Sequence, residues 1–244
     1  MDNKTILVTG VNGYIGSHFI EQYKNKYLLN KVSLSSNDNP NLSKISTILH
    51  LSALVHQTKT LPDKNYFNIN TIQTVNLAKK AKKHGVKHFI FYSTIRVYGE
   101  RGFFGEQTNI LSEISDCHPD DGYGKSKLLA EKEILLLEDN QFKVTVIRPP
   151  IVYGENCKGN FGKLRNLVNI FPFLPFDYSE NKRSFISIEN LLSFTELVID
   201  QQVTGILIPQ DKNQYSIKQL IQMISIDLNS KVLLFKSCQN HPFI

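Results

Sequence analysis

Tyr123 and Lys127 stand four residues apart in Tyr123-Gly124-Lys125-Ser126-Lys127, a spacing that puts a phenol and an ammonium on one face of a helix. A nearby cation favours phenolate over phenol and lowers a pKa that is ordinarily about 10. Bringing the phenol near neutral pH takes about 4 kcal/mol, at about 1.36 kcal/mol per unit. A tyrosine tuned in this way gives or takes the proton of a carbinol, which is the acid–base half of alcohol–ketone chemistry. Thr94, at the end of the run Phe89-Ile90-Phe91-Tyr92-Ser93-Thr94, is the hydroxyl placed to hold the substrate oxygen. The Tyr-x-x-x-Lys spacing by itself selects nothing, because Tyr27 to Lys31 and Tyr178 to Lys182 repeat it. Tyr27 falls between a helix and a strand, and Tyr178 follows a Pro-rich loop. Of the three, Tyr123 alone comes after a strand ending in hydroxyls and opens a long helix.

The hydride half of such chemistry needs a nicotinamide, and the N-terminus supplies a place for one. Thr5-Ile6-Leu7-Val8-Thr9 runs into Gly10-Val11-Asn12-Gly13-Tyr14-Ile15-Gly16, and Phe19-Ile20 continue a helical pattern. Strand, glycine turn and helix start together present free N–H groups and the positive end of a helix dipole to a pyrophosphate. Turns also collect glycine, so the position directly after the first strand is what favours a dinucleotide site over a structural turn. Gly10, Asn12, Gly13, Tyr14, Ile15 and Gly16 are its residues, and the positive charge of an oxidised nicotinamide would add to that of Lys127 in favouring phenolate. A second strand at Lys31 to Ser35 leads to Ser35, Ser36, Asn37 and Asp38, which declare neither an acidic partner for the ribose of NAD nor a basic one for NADP.

The elements around these residues predict an α/β fold of Rossmann type, a doubly wound parallel sheet. Ile45 to Ala53 is the next strand, and the short interval before it leaves one βαβ unit shortened or absent. A helix is expected over Asn70 to Lys83 from the recurrence of Ile72, Val75, Leu77, Ala78 and Ala81. Further expectations are strands at Lys87 to Thr94, Lys143 to Arg148 and Gly205 to Pro209, and helices over Ser126 to Asp139, Ile188 to Asp200 and Ile217 to Leu228. Residues 102–121 read as a loop over the site. The domain expectation is a nucleotide-binding and catalytic part over 1–152, then a small substrate-binding region over 153–244. The helix near 188–200 is expected to pack back on the first part.

Composition narrows the function classes. The net charge of +6 comes from 28 Lys and Arg against 22 Asp and Glu. The densest basic run, Lys79-Lys80-Ala81-Lys82-Lys83-His84, lies at a helix end where lysines complement the dipole, so nucleic acid is not the expected partner. Cys117, Cys157 and Cys238 have no metal-ligand spacing, and no metal is expected. An odd cysteine count, no N-terminal signal segment and no apolar run near the roughly 20 residues that span a bilayer predict a soluble cytoplasmic protein.

In family order the chain carries Gly10/Gly13/Gly16, Leu49-His50-Leu51-Ser52-Ala53, Asn70, Ser93-Thr94-Ile95-Arg96-Val97-Tyr98-Gly99, Tyr123/Lys127 and Arg148-Pro149-Pro150. Over residues 4–210 it resembles the extended short-chain dehydrogenase/reductases, the NAD-dependent epimerase/dehydratase family acting on nucleotide sugars. The resemblance implies a catalytic set of Thr94, Tyr123 and Lys127, with Asn70 supporting the lysine. It implies a cofactor wall of Leu51, Ser52, Ala53, Pro149, Pro150 and Ile151 around NAD or NADP, with Tyr123 and Lys127 also touching the cofactor. Arg183 matches the arginine that holds the diphosphate of a UDP-sugar, and Asn160 joins it as a substrate contact. Ile95 and Arg96 replace the acid pair of the 4,6-dehydratases, which argues against dehydration. Ile151 stands where many 4-epimerases have an asparagine. Gly159-Asn160-Phe161 and Asn181-Lys182-Arg183-Ser184 look most like enzymes of bacterial surface-polysaccharide pathways that reduce UDP-4-keto-6-deoxy-N-acetylhexosamines. That subgroup runs longer at the C-terminus, so the resemblance implies a shortened chain. The first expectation is therefore a 4-ketoreductase, the alternative a UDP-sugar 4-epimerase, and the third a cofactor-bound protein without turnover. Family members dimerise through the helices carrying Asn70 and Tyr123, which implies a homodimer.

Overall fold

Ile6, Leu7 and Val8 sit inside strand β1 (Thr5–Thr9) and are almost wholly buried, as expected of a parallel strand covered on both faces. Each such side chain contributes on the order of 1.5–3 kcal/mol relative to exposure. In the computed structural model residues 4–33, 40–55, 61–99, 110–157, 159–177 and 182–235 are described. Helix α1 (Tyr14–Tyr23) follows the glycine turn, and β2 (Leu28–Val32) pairs with β1 from Thr5↔Leu28 to Thr9↔Val32. The second strand thus begins three residues earlier than the sequence predicts. It ends at Val32, opposite Thr9, where Gly10 at φ +71 turns the first strand away. Ser35, Ser36, Asn37 and Asp38 lie outside the described residues.

Strand β3 (Thr47–His50) pairs on the other side of β1, and among the described residues no strand lies between β2 and β3, in line with a shortened βαβ unit. The next helical run is α2 (Asp63–Tyr66), a π-helical segment (Phe67–Gln73) and α3 (Thr74–Lys83). It starts seven residues before the expected Asn70. Asp63, Lys64 and Asn65 are exposed, and the wider π turn interrupts the 3.6-residue period, so no apolar periodicity announces the first turns. Strand β4 (His88–Tyr92) leads through Ser93 and Thr94 into a 3₁₀ turn (Ile95–Tyr98). Helix α4 (Gly122–Leu135) starts at Gly122 rather than Ser126 because Asp121 caps it, its Oδ1 accepting from Gly124 N at 2.7 Å. Strand β5 (Lys143–Ile147) follows.

The chain then forms β6 (Ile151–Tyr153), α5 (Asn160–Ile170), β7 (Phe173–Leu174), β8 (Arg183–Ser187), α6 (Ile188–Gln201), β9 (Gly205–Leu207), β10 (Gln214–Tyr215), α7 (Ile217–Asp227) and β11 (Leu233–Leu234). Six parallel strands in the order β2-β1-β3-β4-β5-β9 make the main sheet. Its direction of winding reverses at β1 and β3, and ligands of such sheets bind outside the C-terminal strand ends at that switch. The chain divides into one compact unit of Met1–Pro149 with Leu191–Pro209 and a second of Pro150–Asn190 with Gln210–Ile244. Within the first, α6 is tied to the end of α1: Tyr23 Oη donates to Glu196 at 3.0 Å and Tyr27 Oη to Asp200 at 2.9 Å. The second has its own core of Val168, Leu174, Ile221 and Ile224 and small sheets ordered β10-β8-β6 and β11-β7.

Candidate active site

Each glycine of the first turn answers a different contact. A Cβ on Gly10 would stand 2.7 Å from the main chain of Leu51 and Ser52, and one on Gly16 would stand 2.3 Å from Gly10 O. Both positions bring backbone against backbone. Gly13 is exposed, meets only Gly10 O at 3.1 Å, and precedes a helix with no side-chain cap. No side chain caps the first turn of α1, so its backbone donors face the glycine turn. This donor set fits the pyrophosphate of a dinucleotide. Asn12 is exposed, and Tyr14 and Ile15 are half-buried in the same turn.

Opposite that turn, Leu51, Ser52 and Ala53 leave the end of β3. Ser52 N donates to Thr9 Oγ1 at 3.2 Å, and Thr9 Oγ1 is 2.8 Å from His50 Nδ1. His50 Nε2 is 2.9 Å from Thr74 Oγ1. This fully buried imidazole joins β1, β3 and α3, and burial, with the charge of Lys127, pulls its pKa down to about 3. It is neutral at ordinary pH. In the sequence His50 shows only as one residue of a strand.

Asn70, 0% exposed, lies in the π-helical segment. Its Oδ1 accepts from Leu54 N at 2.8 Å, and its Nδ2 donates to Leu54 O at 3.0 Å and Ser126 Oγ at 3.1 Å. Thr71 Oγ1 donates to Ser126 O at 2.8 Å. Asn70 thus staples the segment after β3 to the helix of Lys127, one residue from the lysine itself.

Thr94 and Tyr123 are brought together. The threonine is buried, its Oγ1 accepts from Arg96 N at 3.2 Å, and its side chain lies near enough to the Tyr123 phenol to act on its ionisation. Burial pushes the Tyr123 phenol up to about 12, Asp121 pushes the same way, and Arg96 and the Thr94 side chain oppose them. The expected pull of Lys127 is not among these causes. Lys127, 1% exposed, points its Nζ at Tyr92 O, 2.5 Å away, and lies 4.2 Å from the centre of the Phe91 ring. Burial pulls its pKa down to about 7, against an upward push from Glu131.

One turn beyond the lysine, Glu131 meets Arg148 in a buried ion pair of 2.5 Å, with Nε 3.1 and 3.2 Å from the two carboxylate oxygens. Arg148 Nη1 donates to Tyr98 Oη at 2.6 Å. The pair ties α4 to the end of β5 and to the 3₁₀ turn. The signal for it was the repeat of the four-residue spacing in Tyr123, Lys127 and Glu131. Pro149 O accepts from Ile95 N at 3.2 Å in the first unit. Pro150 and Ile151 belong to the second, where Ile151 pairs with Phe185. Arg183 opens β8 there, half-buried and paired with Tyr215. Asn160 begins α5, but its side chain lies outside the described residues, as does Tyr178. Tyr27 is a buried structural phenol bonded to Asp200. Among the described residues no group of three His, Cys, Asp or Glu side chains is placed to hold a metal, and no helix is long and apolar enough to cross a membrane.

The family model described as the NAD dependent epimerase/dehydratase family matches residues 6–207. A UDP-glucose 4-epimerase of Vibrio cholerae is 33% identical over 93% of this chain and 76% of its own length. An N-acetyl-alpha-D-glucosaminyl-diphospho-ditrans,octacis-undecaprenol 4-epimerase of Escherichia coli O157:H7 is 24% identical over 94% of this chain and 74% of its own. Among solved structures, a UDP-N-acetylglucosamine 4-epimerase from Methanobrevibacter ruminantium M1, in complex with UDP-N-acetylmuramic acid, has a TM-score of 0.80 at 22% identity. It is matched over 99% of this chain and 88% of that one, which supports the fold. The glycine turn, the six-stranded parallel sheet and a match spanning most of the sequence agree, and the chain belongs to the NAD-dependent epimerase/dehydratase family.

Proposed function

We propose that this protein is a UDP-hexose 4-epimerase. The observation that carries the proposal is the 33% identity to the Vibrio cholerae UDP-glucose 4-epimerase along nearly the whole chain. It moves the balance from the 4-ketoreductase that the sequence pattern favoured to the 4-epimerase held beside it. The geometry of Thr94 and Tyr123 supports either reaction, because both pass through a ketone at one sugar carbon.

The turn from Gly10 to Gly16 and the start of α1 would hold the pyrophosphate of NAD, with Leu51, Ser52 and Ala53 as a wall and Lys127 toward the nicotinamide ribose. When bound, the nicotinamide supplies hydride acceptance and return. Thr94 holds the C4 oxygen of the sugar, and Tyr123 takes its proton and later gives it back. Lys127 and Asn70 keep the helix and its phenol in place, and Arg183 in the second unit binds the sugar nucleotide's diphosphate.

The test supplies UDP-glucose with NAD and analyses the sugar for its 4-epimer, alongside Tyr123→Phe. The 4-epimer forms with the wild type, while the variant binds NAD normally and loses turnover by about 10²-fold or more. Unchanged turnover in Tyr123→Phe would remove the tyrosine from the reaction. Consumption of reduced nicotinamide with a 4-keto sugar, and no epimer from UDP-glucose, would return the ketoreductase.

A further inference from the structure

Among the described residues of the first unit, two buried side-chain atoms have no hydrogen-bond partner, His88 Nδ1 and Ser93 Oγ. His88 opens β4 at the end away from the site and already uses its other ring nitrogen, Nε2, which lies 2.7 Å from Thr145 Oγ1. Ser93 has no second atom to use. It is 5% exposed, and its single polar side-chain atom is the unpartnered one. A buried hydroxyl that gives up water and gains nothing works against folding, and native proteins rarely keep one without a use.

The run of the strand says where this hydroxyl points. Ser93 N donates to Ile147 O at 2.8 Å, which carries the ladder one residue past the end of β4, and Thr94 is still extended at φ −161 and ψ 149. Side chains alternate along such a run. Tyr92 faces α6, its hydroxyl bonded to Thr195, and Phe91 faces α4, its ring centre 4.2 Å from Lys127 Nζ. Ser93 therefore shares the face of Phe91 and Lys127. The peptide that joins Tyr92 to Ser93 also holds that ammonium, through Tyr92 O at 2.5 Å. To one side β3 pairs His50 with Phe91 and leaves into Leu51, Ser52 and Ala53. To the other β5 pairs Ile147 with Tyr92 and runs on to Pro149. The orphaned hydroxyl thus lies between the two stretches expected to wall the cofactor.

We propose that Ser93 is a cofactor-binding residue, its buried hydroxyl bonding a polar group of the nicotinamide half of NAD beside Lys127. A hydroxyl both donates and accepts, so it suits the carboxamide and the ribose hydroxyls alike. The proposal rests on the reading of this site as the seat of NAD.

Calorimetric titration of the full chain with NAD, and separately with UDP, tests it in the wild type and in Ser93→Ala, together with thermal melts of both without added nucleotide. Ser93→Ala melts close to the wild type or above it, because no group of the protein loses a partner. It binds NAD about 3- to 10-fold more weakly, the worth of one hydrogen bond, and binds UDP unchanged. NAD affinity equal to that of the wild type overturns the proposal. So does a variant that fails to fold, whose hydroxyl would be serving the fold through bound water. Weaker UDP binding with NAD affinity kept would overturn it too, by assigning the serine to the sugar nucleotide. A wild type that binds no NAD would instead overturn the reading of the site, so the two failures are told apart.

Discussion

Lys127 is the residue at which burial and charge disagree most. Its ammonium is almost wholly removed from water, with one carbonyl, one ring face and Glu131 to hold it, and its pKa falls to about 7. The unfolded value is about 10.4. Between those two pH values the unfolded chain binds more protons than the folded one, so stability rises with pH across the window, by at most about 1.4 kcal/mol per unit for one group. Urea melts of the wild type and Lys127→Met from neutral to mildly alkaline pH check this. The wild type gains on the variant as pH rises, and a constant difference would contradict the burial argument. The Tyr-x-x-x-Lys spacing made the pairing of Tyr123 and Lys127 on one helix legible in the sequence. It did not reveal that the ammonium faces Tyr92 O and Phe91, because those partners come from β4, which only the folded sheet brings to α4.

At the scale of elements, the glycine turn separates shape from binding. Gly16→Ala forces a Cβ onto Gly10 O and destabilises the fold by about 1–3 kcal/mol. Gly13→Ala meets a single oxygen at 3.1 Å, so it melts close to the wild type while NAD binding weakens. Thermal melts and NAD titration of both variants check the contrast, and equal melting losses would contradict it. The buried Glu131–Arg148 pair holds α4 to β5. Glu131→Gln strands the guanidinium and lowers stability by about 3–5 kcal/mol in denaturant melts; a loss below about 1 kcal/mol would mean water reaches Arg148. Strand–turn–helix at the N-terminus was readable because β1 is buried on both faces and shows an unbroken apolar run. The start of the helix at Asp63 was hidden by exposed polar residues and a π turn. In residues 154–177 the glycines and prolines masked α5 and β7, whose apolar residues pack on α7 and β11 rather than on a long periodic neighbour.

For the whole molecule, the shortened βαβ unit and the doubly wound order were both legible, since the interval between the second and third strands is too short for a crossover helix plus another strand. Leu191–Pro209 is grouped with the first unit although in sequence it lies between the two parts of the second, and the small sheets β10-β8-β6 and β11-β7 depend on strands too short to show alternation. Reaction direction was not legible at all, because the same three side chains serve a ketone reduced once and a ketone oxidised and reduced in turn. Isotope retention separates these outcomes. UDP-glucose carrying deuterium at C4, incubated with the protein and substoichiometric NAD, is predicted to give both 4-epimers with the deuterium still at C4 and no net change in reduced nicotinamide. Product that has lost the label, or a 4-keto sugar converted only with one reduced nicotinamide consumed per molecule, would contradict the epimerase account.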